Sequence, residues 1–209
     1  MQKWSIFLLI FGVSLAQSLS VEAQVRIENA SFEGNPEDAT TPVSWHPCAL
    51  GTTPDILPGP WGVYQEASEG ETYMGLITRE DGTYESVGQR LSNPLEGKAC
   101  YSMRIDLAHS PSYSSYNAPV QLRIWACQTR CSKDQLLQES EVISHQDWET
   151  YEFKFSTKNP VNYLLLEAHY VSETGEKGKK GNILIDNISE IRQCSRAGLS
   201  DEIIPSNNL

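Results

Sequence analysis

The sequence predicts an all-β fold, an antiparallel sandwich of about nine strands, and three observations carry the prediction. After residue 70 hydrophobicity alternates with a period of two, over short stretches rich in β-branched, aromatic and aliphatic residues. Clusters of Gly, Pro, Asn and Ser, the residues of turns, separate these stretches. No segment shows the apolar stripe of an amphipathic helix of ten residues or more.

In chain order, strands are expected at Gln24–Glu28, Thr72–Thr78, Tyr84–Leu91, Tyr101–Leu107, Val120–Ala126, Leu136–Ile143, Tyr151–Phe155, Tyr163–Tyr170 and Ile183–Ile191. In the fourth, Tyr101, Met103, Ile105 and Leu107 alternate with Ser102, Arg104, Asp106 and Ala108, so one face enters the core and the other meets solvent or ligand. Val120, Leu122, Ile124 and Ala126 repeat this against Gln121, Arg123 and Trp125. Pro42, Pro47, Pro54, Pro58 and Pro60 hold Thr41–Trp61 in an irregular, extended form, and a loop of that length usually has a function or a tether.

The N-terminus reads as an export signal: a positive start at Lys3, an apolar run from Trp4 to Ala16, and Val21-Glu22-Ala23 as the small-residue site for cleavage after Ala23. The run is too short for a bilayer span, which needs about 20 residues, and no later segment qualifies. A single domain over residues 24–194 is expected, followed by a patternless tail at 195–209. With 27 acidic against 16 basic residues, a net charge of -11 argues against nucleic acid or an anionic membrane as partner. Lys177, Lys179 and Lys180, in a Gly-rich stretch, read as a solvated turn. All five cysteines follow the leader, where disulfides form and persist. Five allow at most two bridges. Cys127–Cys131 is expected as one, stapling a polar loop at its neck, and Cys48–Cys194 as the other, leaving Cys100 buried and free. The alternative for the C-x-x-x-C pair is half a zinc site completed by His109 or His145.

Four stretches resemble a known family. Asn29-Ala-Ser-Phe-Glu33 is similar to the N-x-x-F-E opening of galactose-binding-like jelly-roll modules, the fold of many carbohydrate-binding modules. Pro94-Leu-Glu-Gly-Lys-Ala-Cys-Tyr101 resembles their turn into a core strand. Trp148-Glu-Thr-Tyr-Glu-Phe-Lys-Phe155 with Leu164-Leu-Leu166 resembles their W…Y-x-F-x-F…L-x-L strand pair, and Gly181-Asn-Ile-Leu-Ile-Asp-Asn-Ile188 their closing strand. Trp61-Gly-Val-Tyr-Gln-Glu-Ala through Gly70–Gly75 is similar to a subgroup exported by gliding and polysaccharide-degrading bacteria, in which an attachment domain commonly follows. Here the chain stops about fifteen residues after Cys194. The resemblance implies a jelly roll and, in addition, a structural calcium ion held by Glu33 and Asp186 with backbone carbonyls from the loop before Trp61. Calcium takes six to eight hard oxygen ligands and would relieve repulsion between two buried carboxylates. The alternative is that Glu33 caps a turn and Asp186 takes backbone N–H groups unaided.

A sugar stacks its C–H face on an aromatic ring while its hydroxyls pair with planar polar groups. Two places suit this. One is the polar strand face of Gln121, Arg123 and Trp125, joined by Arg104 and Asp106 if the two strands share a sheet. The other is the loop set of Trp61, Tyr64, Tyr113 and Tyr116. The alternatives are a Trp125 half-covered by a neighbouring loop and tyrosines that merely fill loops. Trp45 and Trp148 are assigned to the core or its rim. There is no G-x-S-x-G elbow, H-E-x-x-H or phosphate loop, and His46, His109, His145 and His169 are scattered. Glu167 and His169 share a strand face, as an acid/base pair or an ordinary solvated alternation. The reading is an exported, periplasmic or cell-surface, non-catalytic glycan-binding module with a structural calcium. Its rivals are a glycan hydrolase on the same fold and a module whose partner is a cell-envelope protein.

Overall fold

The computed structural model describes residues 24–170 and 178–194. The expected signal peptide, Lys177 and the expected tail lie outside the described residues. The strands are β1 (Gln24–Val25), β2 (His46–Pro47), β3 (Asp55–Leu57), β4 (Tyr73–Thr78), β5 (Ser86–Leu95), β6 (Cys100–Ala108), β7 (Ala118–Pro119), β8 (Gln121–Cys127), β9 (Gln135–Glu139), β10 (Glu149–Ser156), β11 (Val161–His169), β12 (Gly181–Asp186) and β13 (Ile191–Gln193). A short 3-10 turn covers Pro60–Gly62. No helix among the described residues is long and apolar enough to cross a membrane.

The larger sheet runs β1-β13-β6-β12-β4-β3, with β10 on the other edge of β6 and β7 beside β12. The smaller runs β2-β5-β11-β8-β9. Every pairing is antiparallel except the two-residue β7–β12 contact. The two strands with the clearest alternation form opposite walls of one core. Tyr101, Met103, Ile105 and Leu107 point inward from β6, and Val120, Leu122, Ile124 and Ala126 face them from β8 and the residue before it. Each aliphatic side chain buried this way contributes about 1.5–3 kcal/mol.

Three departures from the expected strands have local causes. Ile183–Ile191 is two strands, because Asn187 adopts a left-handed φ of 47°, which Asn tolerates, and redirects the chain so that Ile188 drops into the core. The strand expected at Leu136–Ile143 stops at Glu139, after which Ile143 returns only as an isolated bridge to Val120. Within the proline-rich stretch, β2 and β3 pair with β5 and β4, so part of that loop joins the sheets.

The disulfides correct the expected pairing. Cys48 bonds Cys131 and Cys100 bonds Cys194, and the free cysteine is the buried Cys127. Register explains the second bridge. Gln193 pairs with Tyr101, so the next residues, Cys194 and Cys100, stand opposite each other, their backbones linked at 2.9 Å. Cys127 belongs to a strand whose hydrogen bonds close the following turn, with Asp134 N donating to Ala126 O. Cys131 sits in that turn with a left-handed φ of 63° and reaches across to Cys48.

Glu85, whose side chain is fully buried, holds the segment before β3 against the β4–β5 hairpin. It accepts from Thr53 N and Oγ1 and from Ile77 N, and pairs with Arg79 at 2.7 Å. Burial raises its pKa, and these donors oppose the shift. Arg79→Ala leaves a buried carboxylate without its cation, so a loss of about 3–5 kcal/mol is expected in thermal or urea unfolding. Peptide mapping of the unreduced protein is expected to give Cys48–Cys131 and Cys100–Cys194 linkages, with Cys127 alkylated only after denaturation; an intact Cys127–Cys131 peptide would refute the assignment.

Candidate functional site

The outer face of the larger sheet is apolar. Leu57, Tyr73, Ile77, Ala108 and Leu184 form a second buried cluster there with Val63 and Tyr113 from the covering loops. Every residue of β4 is therefore buried. Gly75 makes room for this cover, since a Cβ at that position would lie 2.8 Å from the Tyr113 hydroxyl and 2.9 Å from Leu57.

Polar side chains fix the cover from below. The buried Asp55 carboxylate accepts from Ala39 N at 2.8 Å, from the Trp61 indole at 3.1 Å and from the Tyr113 hydroxyl. Burial pushes Asp55 up in pKa, and these bonds work against it. The Tyr113 hydroxyl is raised by its own burial and by the Asp55 charge. Tyr73 donates to Gln65 O at 2.9 Å and Trp148 Nε1 to Glu66 O at 2.9 Å, the two rings meeting edge to face at 5.1 Å. Asn182, fully buried on β12, holds the next loop through Ser110 N, Ser110 O and Tyr116 O.

Between these pinned loops opens a cleft of about 790 Å³. Gly62–Ala67 forms one wall, Ser110–Ser112 the second and Gln146–Trp148 the third. Tyr64, 78 % exposed, stands in it, and Trp148 is half-buried opposite. The polar groups are the amides of Gln65 and Gln146, the carboxylates of Glu66 and Asp147, and two serine hydroxyls 3.0 Å apart. Ser112 Oγ donates to Gly62 O at 3.0 Å, tying two walls together. The arrangement offers aromatic surface, amides and carboxylates to a polyhydroxylated ligand.

The expected loop set is thus divided. Tyr64 lines the cleft. Trp61, 44 % exposed, meets Tyr116 edge to face at 6.3 Å. Tyr113 is 1 % exposed and works as a buried anchor, so it is removed from the ligand-facing set. Trp45 lies in the core and Trp148 at the rim of the second cluster, as expected, but Trp148 also lines the cleft. Neither Gln65 nor Gln146 was singled out from sequence, because polar residues in turns carry no periodic signal.

The strand-face set is divided too. β6 and β8 lie in different sheets, so Arg104 and Asp106 do not stand beside Gln121, Arg123 and Trp125. The latter three share the outer face of the smaller sheet with Glu167 and His169 across β11. The turn after β8 covers that face. Its Lys133 pairs with Glu167, bonds the Tyr84 hydroxyl at 2.9 Å and lies 4.6 Å from the Tyr84 ring centroid and 5.7 Å from that of Trp125. Trp125 is accordingly half-covered by a loop, and Glu167, 2 % exposed, is an ion-pair partner under that loop, not part of a solvated face. The Cys48–Cys131 bridge crosses Gly88, where a Cβ would lie 2.9 Å from Cys48 Sγ. Among the described residues, the His/Cys/Asp/Glu group close enough to share a metal is His46, Cys48 and Cys131, and its two sulfurs are bonded to each other, which removes the C-x-x-x-C zinc half-site.

Asp106 and Asp186 are cross-strand partners beneath the segment that follows the cleft wall. Burial would raise Asp106, but Ser68 Oγ at 2.6 Å, Thr150 Oγ1 at 2.5 Å and Asn187 Nδ2 at 2.9 Å hold it low. Asp186 accepts from Ser68 N, Glu69 N and Asn187 N, and burial pushes it up to about 7. Glu33 grips the same segment, accepting from Glu71 N at 3.0 Å and Thr72 N at 3.5 Å. The two carboxylates named for calcium therefore converge on residues 68–72, after Trp61, and not on a loop before it. Glu33, at an exposed position, and the buried Asp186 fit this loop by accepting its backbone N–H groups, the arrangement expected as the alternative to a shared ion. Gly70 at φ 70° is part of that fit, since a Cβ there would lie 1.9 Å from Glu33 Oε1.

Fold and cleft together define a two-sheet jelly-roll sandwich with a loop-walled cleft on the outer face of its larger sheet. No family of known sequences matches the chain, and no curated protein matches it. Solved structures share the fold. A Stig cyclase from Fischerella sp. TAU, in complex with an indole compound, superposes with a TM-score of 0.55 at 15 % identity over 83 % of this chain and 98 % of that one. An arabinose-bound GH51 α-L-arabinofuranosidase gives 0.54 at 11 % identity over 82 % of this chain and 26 % of the enzyme. The CBM22-1 xylan-binding domain of Paenibacillus barcinonensis Xyn10C gives 0.48 at 17 % identity over 78 % and 91 %.

Because burial raises Asp55, its contribution to stability is full below its ordinary value, near 3.9, and is lost as pH climbs through the raised one. Asp55→Asn is expected to flatten the decline of Tm as pH rises above the ordinary carboxylate range, about 3.9; an unaltered profile would remove Asp55 as its source.

Proposed function

We propose that this chain is an exported, non-catalytic carbohydrate-binding module whose ligand lies in the cleft between Tyr64 and Trp148. The observation that carries the reading is an open cleft of about 790 Å³ whose walls combine aromatic surface with amide, hydroxyl and carboxylate groups. A pyranose ring presents the matching surfaces, an apolar C–H face and a hydroxyl rim. The absence of catalysis is supported by how the cleft hydroxyls are used: Ser110 and Ser112 bond each other and the Gly62 carbonyl, not a histidine. The Asp106 and Asp186 pair is 4 % and 0 % exposed, out of reach of a substrate. Two disulfides support export, since such bridges persist in oxidising compartments. We place the protein in the periplasm or at the cell surface.

We also propose calcium at Glu33 and Asp186, with carbonyls of residues 68–72 completing the shell. The ion would neutralise a carboxylate that burial raises to about 7 and fasten the cleft-bearing loop to both ends of the domain. Its role is structural. Calcium is expected to raise Tm by several degrees and EDTA to remove the gain, while Glu33→Gln abolishes the response; a melt indifferent to both retires the ion.

On a glycan array the domain is expected to bind. Tyr64→Ala should weaken that binding about 2- to 10-fold with the melt unchanged, as for loss of one stacking ring. Release of reducing sugar would favour a hydrolase, and a silent array with one stable partner from envelope extracts would favour a protein-binding module.

A further inference from the structure

We infer that the cleft selects glycans bearing protonated amines and disfavours uronic-acid glycans, an inference that rests on the cleft being the glycan site. Its charged side chains are Glu66 and Asp147, and its lining holds neither Lys nor Arg. Several carboxylates elsewhere in this fold have a cationic partner. Glu85, Glu139, Glu167 and Glu190 are each matched by Arg79, Arg123, Lys133 and Arg26. Among the described residues, Glu66 and Asp147 take part in no ion pair.

Among the described residues beside the cleft, the titratable base is engaged by other groups. His145 beside the cleft places Nδ1 on Asp147 O at 2.8 Å and Nε2 on the Tyr151 hydroxyl at 2.9 Å, and Glu149 is its ion-pair partner at 3.8 Å. Beneath the covering segment lie Asp106 and Asp186. Across the whole chain the net charge of -11 biases approach in the same direction. A uronate would meet two carboxylates with no counter-charge. An ammonium group would meet them as paired donor and acceptors, while the aromatic walls and amides serve the rest of the sugar.

The test is calorimetric titration with equal-length oligomers of glucosamine, N-acetylglucosamine and galacturonic acid, at about pH 5, where free amines are protonated. Glucosamine oligomers are expected to bind about 3- to 10-fold tighter than the acetylated series, the scale of two exposed ion pairs, and galacturonate oligomers weakest. Salt near 1 M should erase the advantage. So should Glu66→Gln combined with Asp147→Asn. Equal affinities, or tightest binding of galacturonate, would overturn the inference while leaving a glycan-binding cleft intact. Silence of all three series alongside an array signal elsewhere also overturns it alone; silence on the array as well removes both readings.

Discussion

A sandwich closes only one face of each sheet against the other, and in this protein the two outer faces are not suited to water. On the larger sheet Leu57, Tyr73, Ile77 and Leu184 point outward, and on the smaller one Leu165 and Glu167 do so while fully or almost fully buried. Both faces need a second cover, and since the sheets are already used, loops must provide it. This requirement organises the rest of the molecule. The segment from β3 to β4 lies across the larger sheet, and the turn after β8, bonded to Cys48, lies across the smaller. The cleft is the gap left where three covering loops meet without closing.

Loops have no ladder of hydrogen bonds to hold them, so each is tied to the sheets at particular points. Carboxylates, most of them buried, do much of this. Asp55 holds Ala39, Trp61 and Tyr113; Asp186 holds Ser68 and Glu69; Glu33 holds Glu71 and Thr72; Glu85 holds Thr53. A carboxylate accepts several N–H or O–H donors at once, which suits it to fastening irregular backbone. Part of the strongly acidic composition is therefore internal anchoring. Glu66 and Asp147 are different, because they face open space in a place where ligand can reach them.

Much of the fold was legible in the sequence because period-two alternation and turn residues are local signals. The β6 and β8 walls needed nothing more than that Tyr101–Leu107 and Val120–Ala126 alternate. The site was less legible. Whether Arg104 and Trp125 share a face depends on which sheet each strand joins, a relation among segments far apart in the chain. Tyr113 and Tyr64 are both tyrosines in polar loops, and only the position of Asp55 beneath one of them makes it an anchor. Asn182 and Gly75 gave no sign of holding or admitting the cleft loops, since their work is done on neighbours such as Ser110 and Tyr113 that the chain brings in from distant segments.

The sequence by itself determined an all-β sandwich, the inward residues of its main strands and the presence of disulfide chemistry, because each follows from side-chain type and spacing along one stretch of backbone. The tertiary structure decided which cysteines meet, which sheet each strand enters, and that the open surface is a cleft of Tyr64, Trp148, Glu66 and Asp147 instead of the Trp125 strand face. Those outcomes depend on register and on loop packing between distant segments. Cys194 meets Cys100 because β13 pairs with β6 in one particular alignment, and Trp125 lies under Lys133 because a bridge to Cys48 draws that turn across the sheet.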